Sequence, residues 1–489
     1  MYLIYGGDHF NSGDFNNHNT TTTMPRLGAS REGMHGCLAR EDWVAPERVA
    51  YAPTEARPGY DSCAAHEYVD EPTTLAAKVR VLAGLLRQSR QCVAYTGAGI
   101  STASGINDYA SVAAQSVAGI DAHSQSAISP MCAQPTLAHR VLTGLYTAGY
   151  LKRWVQQNHD GLPQKAGYPQ HALNEIHGAW FDPSNPVVKM SGALRDDLFA
   201  DLLKWEQQTD LCLAIGTSLA GMNADRIAST VANKVAAGRS GALGTVIISL
   251  QQTKMDETSS LRIFARIDAV MELLARELDI TPPTPPSFLR QSTSSALTDQ
   301  EEEEQHWINY GSDGSKLREG QAPRLLDMSE GQIVRIVSGP YAGDEGEVLG
   351  RSRHGHYHIR FLHAIKKKTL RFPDPFGVGG NSKGDTWLAP MTHTLGAWMV
   401  QEAEQGLLSH FPIESVDEAE ALAAESEHEI FARQEVAALR GGAALEAAAP
   451  QGGGRSAADS RTADRRESSR GLPDWVLAGF LEDARSKEQ

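Results

Sequence analysis

Cysteine is scarce in this chain: five residues, at positions 37, 63, 92, 132 and 212, are spread over 489. The number is odd and no two stand as Cys-x-x-Cys, so neither a disulfide framework nor a zinc ribbon is expected. The pattern suits a reducing compartment, and an intracellular protein, cytoplasmic or nuclear, is the expectation. Nowhere do 18 apolar residues run together, so no membrane-spanning helix is expected. The opening Met1 to Tyr5, followed by Gly-Gly-Asp, lacks the basic region and long apolar core of a secretory signal. Lysine and arginine (45) are outnumbered by aspartate and glutamate (60), for a net charge of −15. That balance disfavours non-specific binding of the whole chain to nucleic acid, because phosphate neutralisation needs clustered cations.

What is present is unevenly distributed. Residues 1–72 are rich in Asn, Thr, Gly, Arg and Pro and have no sustained period, which predicts a disordered tail. Leu75, Val79, Leu82 and Leu86 then recur at helical spacing. Apolar runs at 92–95, 152–156, 211–215 and 245–250 read as strands, and helical patterns at 136–148 and 267–278 lie among them. The alternation predicts an α/β fold over 73–280, a Rossmann-like parallel sheet. Thr281-Pro-Pro-Thr-Pro-Pro reads as the start of a stiff linker, 281–322. Over 323–395, Gln332-Ile-Val-Arg-Ile-Val and His356-Tyr-His-Ile-Arg-Phe are strand-like, and a small β-barrel is expected. Gly339-Pro-Tyr-Ala-Gly-Asp-Glu-Gly-Glu-Val between them resembles the KOW motif, a hint of an RNA or protein partner. His354, His356 and His358 alternate along a strand, where a solvated face is the expectation rather than a metal site. Lys366-Lys367-Lys368 reads as a solvated turn. Residues 396–489 are expected to be helical and disordered.

The most informative stretch is 92–109, Cys-Val-Ala-Tyr-Thr-Gly-Ala-Gly-Ile-Ser-Thr-Ala-Ser-Gly-Ile-Asn-Asp-Tyr. An apolar strand breaks into Gly97-Ala98-Gly99, where missing side chains let the backbone turn tightly and approach a ligand. Strand, glycine turn and helix start together present backbone N–H groups to a pyrophosphate. The usual dinucleotide spacing Gly-x-Gly-x-x-Gly is absent, and a lone Gly-x-Gly says little. The longer string, with Ile100-Ser101, Ser104-Gly105-Ile106 and Asp108-Tyr109 behind it, resembles the sirtuin signature. Further segments follow in the order a sirtuin has them: Pro135-Thr136-Leu137-Ala138-His139, Gln157-Asn158-His159-Asp160-Gly161-Leu162, Glu175-Ile176-His177-Gly178 and Gly216-Thr217-Ser218-Leu219.

The resemblance implies an NAD-dependent protein lysine deacylase, a deacetylase-type transferase releasing nicotinamide and acyl-ADP-ribose from an acyl-lysine protein or peptide. It implies that His177 acts as base on a ribose hydroxyl, with Asn158 and Asp160 ordering the reacting groups. Gly97, Ala98, Gly99, Ser101, Asp108, Tyr109, Gln157, Asn158, His159, Asp160, Gly216, Thr217, Ser218 and Ser249 are implied to hold NAD. Taken alone, His177 reads as a structural histidine and Asn158-His159-Asp160 as a polar turn. Several positions depart from the family. Ala110 stands where an arginine is usual, Asn107 for proline, and His159 for isoleucine. Residues 179–191 replace the usual four-cysteine zinc module and contain no cysteine, so a reduced, zinc-free small domain is expected, with no metal. The segments that usually clamp the peptide read Asp197-Leu-Phe-Ala-Asp and Gly221-Met-Asn. Two alternatives stay open: an NAD glycohydrolase or ADP-ribosyltransferase, and a non-catalytic NAD-binding scaffold.

Overall fold

The structure is a computed structural model and describes residues 34–108, 110–113, 115–118, 130–189, 192–288, 304–366 and 386–416. The first part of the chain runs β1 (Glu47–Ala50), β2 (Glu67–Val69), α1 (Pro72–Gln88), β3 (Cys92–Thr96), α2 (Leu137–Thr147), β4 (Leu151–Gln156), α3 (Leu162–Lys165), β5 (Leu173–Glu175), α4 (Asp196–Gln208), β6 (Leu211–Ile215), α5 (Arg226–Ala236), β7 (Gly244–Ile248), β8 (Leu261–Ile263) and α6 (Ile267–Glu277). Six of these strands form one sheet in the order β5-β4-β3-β6-β7-β8, and every neighbouring pair is parallel. Parallel strands need crossover helices, which cover both faces, so the strands read as continuous apolar runs. Cys92, Ala94, Leu211 and Leu213 join a core with Leu82, Leu142 and Leu274. Val93, Tyr95, Cys212 and Ala214 face the other way, onto Ile227 and Val231. Each fully buried valine, leucine or isoleucine among them contributes roughly 1.5–3 kcal/mol.

The chain moves outward from β3 through β4 to β5, then returns to place β6 on the other side of β3. The crevice between the C-terminal ends of β3 and β6 is thus a topological switch point, where open α/β sheets bind ligands.

Residues 34–71 are not the featureless tail that their composition suggests. β1 and β2 pair antiparallel, and Cys37 N donates to the Ser259 carbonyl (2.8 Å) and Tyr68 N to that of Leu250 (2.8 Å). Asp70 accepts from the Phe264 amide (2.9 Å) and pairs with Lys78 at 2.6 Å, both side chains fully buried. Burial pulls both groups towards neutrality, raising Asp70 and lowering Lys78 to about 8. This order comes from backbone bonds, one ion pair and scattered apolar contacts such as those of Trp43 and the alanines at 50, 52, 56 and 65, none of them periodic, so periodicity carries no sign of it. Glu71 then caps α1, accepting from Thr73 N (2.9 Å) and Thr74 N (3.1 Å).

The second unit is antiparallel. It runs β9 (Gln305–Ile308), β10 (Arg324–Asp327), β11 (Ile333–Ile336), β12 (Glu345–Arg351), β13 (Tyr357–Lys366), β14 (Thr386–Leu395), α7 (Ala397–Glu404) and β15 (Ile413–Ser415). Five strands form a sheet in the order β14-β13-β12-β11-β15, with β9 and β10 as a separate ladder. The unit begins before the expected boundary at 323 and continues past 395, because Ile308 and Phe411 from its two ends share its core. Lys366 ends β13; Lys367, Lys368 and residues 417–489 lie outside the described residues.

The two units are packed together rather than held apart by a free linker. Phe181 and Trp398 lie in one buried cluster with ring centroids 5.1 Å apart. The Glu402 carboxylate accepts from Gln170 N (2.6 Å), His171 N (3.2 Å) and His171 Nδ1 (2.9 Å). His356, expected on a solvated face, is buried between Phe181 and Trp398. The proline stretch lies along α2, with the Arg140 guanidinium donating to the Pro282 and Pro283 carbonyls (3.3 and 2.8 Å). The KOW-like turn closes on the other side: a Cβ on Gly339 would lie 1.9 Å from the Ser184 carbonyl oxygen.

Candidate functional site

The loops after β3 and β6 meet backbone to backbone. Gly97 N donates to the Ile215 carbonyl (3.1 Å) and Gly99 N to that of Gly216 (2.9 Å). A Cβ on Gly97 would sit 2.8 Å from the Gly216 oxygen, and one on Gly99 2.8 Å from the Gly216 Cα. Gly216 itself has φ +62°, the left-handed region that disfavours side chains. These glycines therefore build a tight cradle floor, where the two loops touch and a methyl group on any of the three would collide with the backbone of the other loop.

A polar network lies beside it. Asp160, buried, accepts from Ser101 Oγ (2.6 Å), the Leu162 amide (3.0 Å) and Gln156 Nε2 (3.5 Å). Asn158 Nδ2 donates to the Gly97 carbonyl (3.2 Å) and to Ser101 Oγ (3.0 Å). Gln157 Nε2 donates to Thr217 Oγ1 (2.8 Å), tying the β4 loop to the β6 loop.

His177 follows β5 and is half-buried. Burial chiefly, helped by His159, lowers its pKa to about 4, while a hydrogen bond to the Gln157 backbone works the other way. Its Nε2 is buried with no hydrogen-bond partner among the described residues. The imidazole is neutral near pH 7, with Nε2 uncommitted. His159 Nδ1 bonds the Gly178 carbonyl (2.9 Å), and burial lowers its pKa too. Glu175, fully enclosed, is pushed up to about 8 by burial; it accepts from Gln170 Nε2 (3.1 Å).

A cleft of about 210 Å³ opens over the cradle, lined by Gly97, Ala98, Gly99, Asp108, Gln157, Gly216, Thr217, Ser218 and Ser249 among others. Ser101, Asn158 and Asp160 belong to the network beside it, His159 bonds the Gly178 carbonyl instead, and Tyr109 lies outside the described residues. Two of the expected cofactor residues also have structural work. Asp108 accepts from Ala110 N (3.0 Å) and Ser111 N (2.6 Å), building its own turn. Ser249 Oγ donates to the Gln251 carbonyl (2.8 Å) and accepts from Arg262 (3.1 Å). Sequence reasoning missed Arg57, Glu67, Gln251 and Arg266, which line the same cleft. Only the lone arginine in an otherwise uncharged Ala-Arg-Pro-Gly stretch could have drawn attention to the first.

After His177 the chain makes a short loop. Ala179 N bonds the Asn185 carbonyl (2.8 Å) and Val188 N that of His177 (2.9 Å). Among the described residues no cluster of three or more histidine, cysteine, aspartate or glutamate side chains could hold a metal ion. No described helix is long and apolar enough to cross a membrane. Of the two expected peptide-clamp segments, Asp197–Asp201 is helical, within α4. In the other, Gly221 N and Met222 N both donate to Asp225 Oδ2 (2.9 and 2.8 Å). The helical segment has its backbone groups engaged within α4, and in the loop these two N–H groups are not open to an added strand.

Comparison with known proteins bears out the two resemblances. The family model described as KOW motif matches residues 330–359. A Bos taurus protein described as NAD-dependent protein deacetylase sirtuin-7 is 30% identical over 259 residues, 44% of this chain and 64% of that protein. An Arabidopsis thaliana protein described as NAD-dependent protein deacetylase SRT1 is 27% identical over 287 residues, 50% of this chain and 58% of that protein. The chain thus spans less than two thirds of the length of these curated relatives. A solved structure described as "Sir2-p53 peptide-NAD+" aligns with a TM-score of 0.33 and 22% identity, covering 40% of this chain and 97% of that one.

Proposed function

We propose that this chain is an NAD-dependent protein lysine deacylase whose chemistry lies between the β3, β4 and β6 loops. The observation that carries the reading is the pairing of a glycine cradle with a neutral, uncommitted imidazole nitrogen at His177. The cradle fits a dinucleotide: Gly97, Ala98, Gly99 and Gly216 line the cleft at a strand end, where a pyrophosphate can approach the backbone, although the Gly97, Gly99 and Gly216 N–H groups are themselves held by the Ile215, Gly216 and Ile248 carbonyls. When bound, NAD supplies the nicotinamide–ribose bond whose cleavage drives acyl transfer.

The chain's own groups then have distinct tasks. His177 Nε2 takes a proton from a hydroxyl, and burial keeps the ring neutral so that it can do so. Asp160, held by three donors, fixes Ser101, and Ser101 with the Gly97 carbonyl fixes the Asn158 amide. This chain of bonds positions Asn158 without solvent and at little entropic cost in the reaction. The acyl-lysine protein or peptide is the proposed second substrate. The KOW turn is proposed to serve an RNA or protein partner through surface other than Gly339, which is covered by Ser184.

A second reading is favoured by the clamp segments. With Gly221 N and Met222 N already satisfied by Asp225, a peptide has fewer partners, and water or another nucleophile would then accept the ADP-ribosyl group. The test is to incubate the full chain with NAD, with and without an acetyl-lysine peptide, and weigh the products. Acetyl-ADP-ribose formed only with peptide supports deacylation. ADP-ribose formed without it supports the glycohydrolase or transferase. No turnover with retained NAD binding points to a scaffold.

A further inference from the structure

A short strap of chain beside the glycine cradle is tied down by residues that line the cleft. It comprises Ser116, Val117 and Ala118, all half-buried, and Ala118 itself lines the cleft. Glu67 takes two of its donors: Oε1 accepts from Ser116 Oγ (2.6 Å) and Oε2 from Val117 N (2.7 Å). Ser116 Oγ in turn accepts from Ala118 N (3.2 Å). Arg266 Nε donates to the Val117 carbonyl (2.5 Å). The Thr102 hydroxyl lies 3.2 Å from the Ala118 carbonyl oxygen and 3.1 Å from that of Gly99. One end of the strap thus sits against the cradle, and the other against Glu67.

Glu67 reaches the cleft from the N-terminal segment, at the start of β2, and is fully buried. Its backbone bridges to Gln251, and its neighbour Tyr68 N donates to the Leu250 carbonyl (2.8 Å). Leu250 and Gln251 follow β7 and line the same cleft, so the backbone that carries Glu67 is fixed to the cleft rim. Gln251 Nε2 also holds the Ala110 carbonyl (2.7 Å), at the start of the segment that leads into the strap. A buried carboxylate is costly unless its oxygens are hydrogen-bonded. A strap that moved away would strip Glu67 of both these donors, so acid and strap hold each other in place.

We propose that Glu67 is a positioning residue for the dinucleotide: by holding Ser116 and Val117 it keeps Ala118 against the Gly99 turn, and the N-terminal segment thereby sets how tightly the cleft holds its ligand. This rests on the reading of the cleft as an NAD site. A wall that the protein has already ordered does not have to be ordered by the ligand, and the affinity is higher by that cost. The coupling is reciprocal, since a ligand that favours the closed strap also strengthens its hold on Glu67.

The test uses the full chain, with hydrogen exchange of residues 110–118 followed by mass and ADP-ribose binding followed by calorimetry. In wild type the strap amides should be protected without ligand. Glu67→Ala should speed their exchange and weaken ADP-ribose by at least about tenfold, the scale of the hydrogen bonds removed. Glu67→Gln keeps an acceptor for Val117 N and can offer an N–H to Ser116 Oγ, so it should recover most of both losses. Ser116→Ala removes one donor without touching the buried acid, should show a smaller loss of both, and covers the case in which Glu67→Ala folds poorly. With an acetyl-lysine peptide, the variants should raise KM for NAD and leave kcat at saturating NAD unchanged, because Glu67 touches no reacting group. Faster exchange with unchanged ADP-ribose affinity would overturn the proposal while leaving the NAD site standing. So would strap amides as slow in Glu67→Ala and Ser116→Ala as in wild type. If wild type itself bound no ADP-ribose, the reading of the cleft would fall, and the role of Glu67 with it.

Discussion

Replacing Phe181 by alanine should uncouple the two folded units. Phe181 is 2% exposed and lies four residues beyond His177 in sequence. Its ring meets Trp398 at 5.1 Å and His356 at 5.0 Å between centroids, and Lys165 Nζ stands 4.9 Å over it. It also abuts Gly161, where an added Cβ would lie 2.6 Å from the phenylalanine ring. Gly161 follows Asp160, so the ring supports the network from outside. Truncating a buried phenylalanine to alanine costs about 3–5 kcal/mol, and the cation–π contact with a buried ammonium adds to the loss. Burial has already lowered Lys165 to about 8, so emptying the space beside it also leaves a costly cation less well held. For a unit of this size the loss corresponds to a fall in Tm of about 6–20 °C. Differential scanning calorimetry on wild type and Phe181→Ala measures it directly. A fall of less than about 2 °C would mean that the interface is not formed in solution, and the account of how the C-terminal unit braces the site would be wrong. The same reasoning predicts that residues 34–288 alone expose the apolar patch around Phe181 and aggregate.

Three further outcomes follow from single groups. Asp70→Ala removes the partner of the buried Lys78 ammonium and should cost about 3–5 kcal/mol; limited proteolysis should then cut within residues 34–69, which wild type protects. Glu175 has a folded pKa near 8 against an ordinary 4.5, so its stability contribution is complete below pH 4.5 and is lost as pH rises through 8. Glu175→Gln should therefore gain stability over wild type as pH is raised from about 5 to 9 in urea titrations, and a pH-independent difference would contradict the shift. His177, lowered to about 4, should give kcat/KM no acid limb near pH 6.5; a limb there would mean that the ring titrates as if exposed.

The sheet was legible in the sequence because its chemistry is local. Residues 92–95 and Leu211–Ile215 are apolar at every position, as strands covered on both faces tend to be. The three-residue strands Leu173–Glu175 and Leu261–Ile263 were missed, since Asn174, Glu175 and Arg262 interrupt the apolar pattern and are held by hydrogen bonds instead, to Asp201, Gln170 and Asp256 among others. The glycine cradle was legible because Gly97 and Gly99 flank a strand end. Arg57 was not, because what brings it to the cleft is a set of alanine methyl groups with no period. The packing of Phe181 on Trp398 and the span of the C-terminal unit were hidden for a related reason: contacts across more than two hundred residues leave no periodic trace. Composition read 34–72 as tail, and backbone hydrogen bonds to Ser259, Leu250 and Phe264 overrule it.

The central claim is that His177 acts as base on a hydroxyl after the dinucleotide has docked. The direct measurement is acetyl-ADP-ribose formation from NAD and an acetyl-lysine peptide, by mass, in wild type and His177→Ala, with NAD affinity determined on the same samples. The account predicts a loss of at least ~10²-fold in product formation with NAD affinity nearly unchanged; near-normal product formation by a folded His177→Ala protein would contradict it.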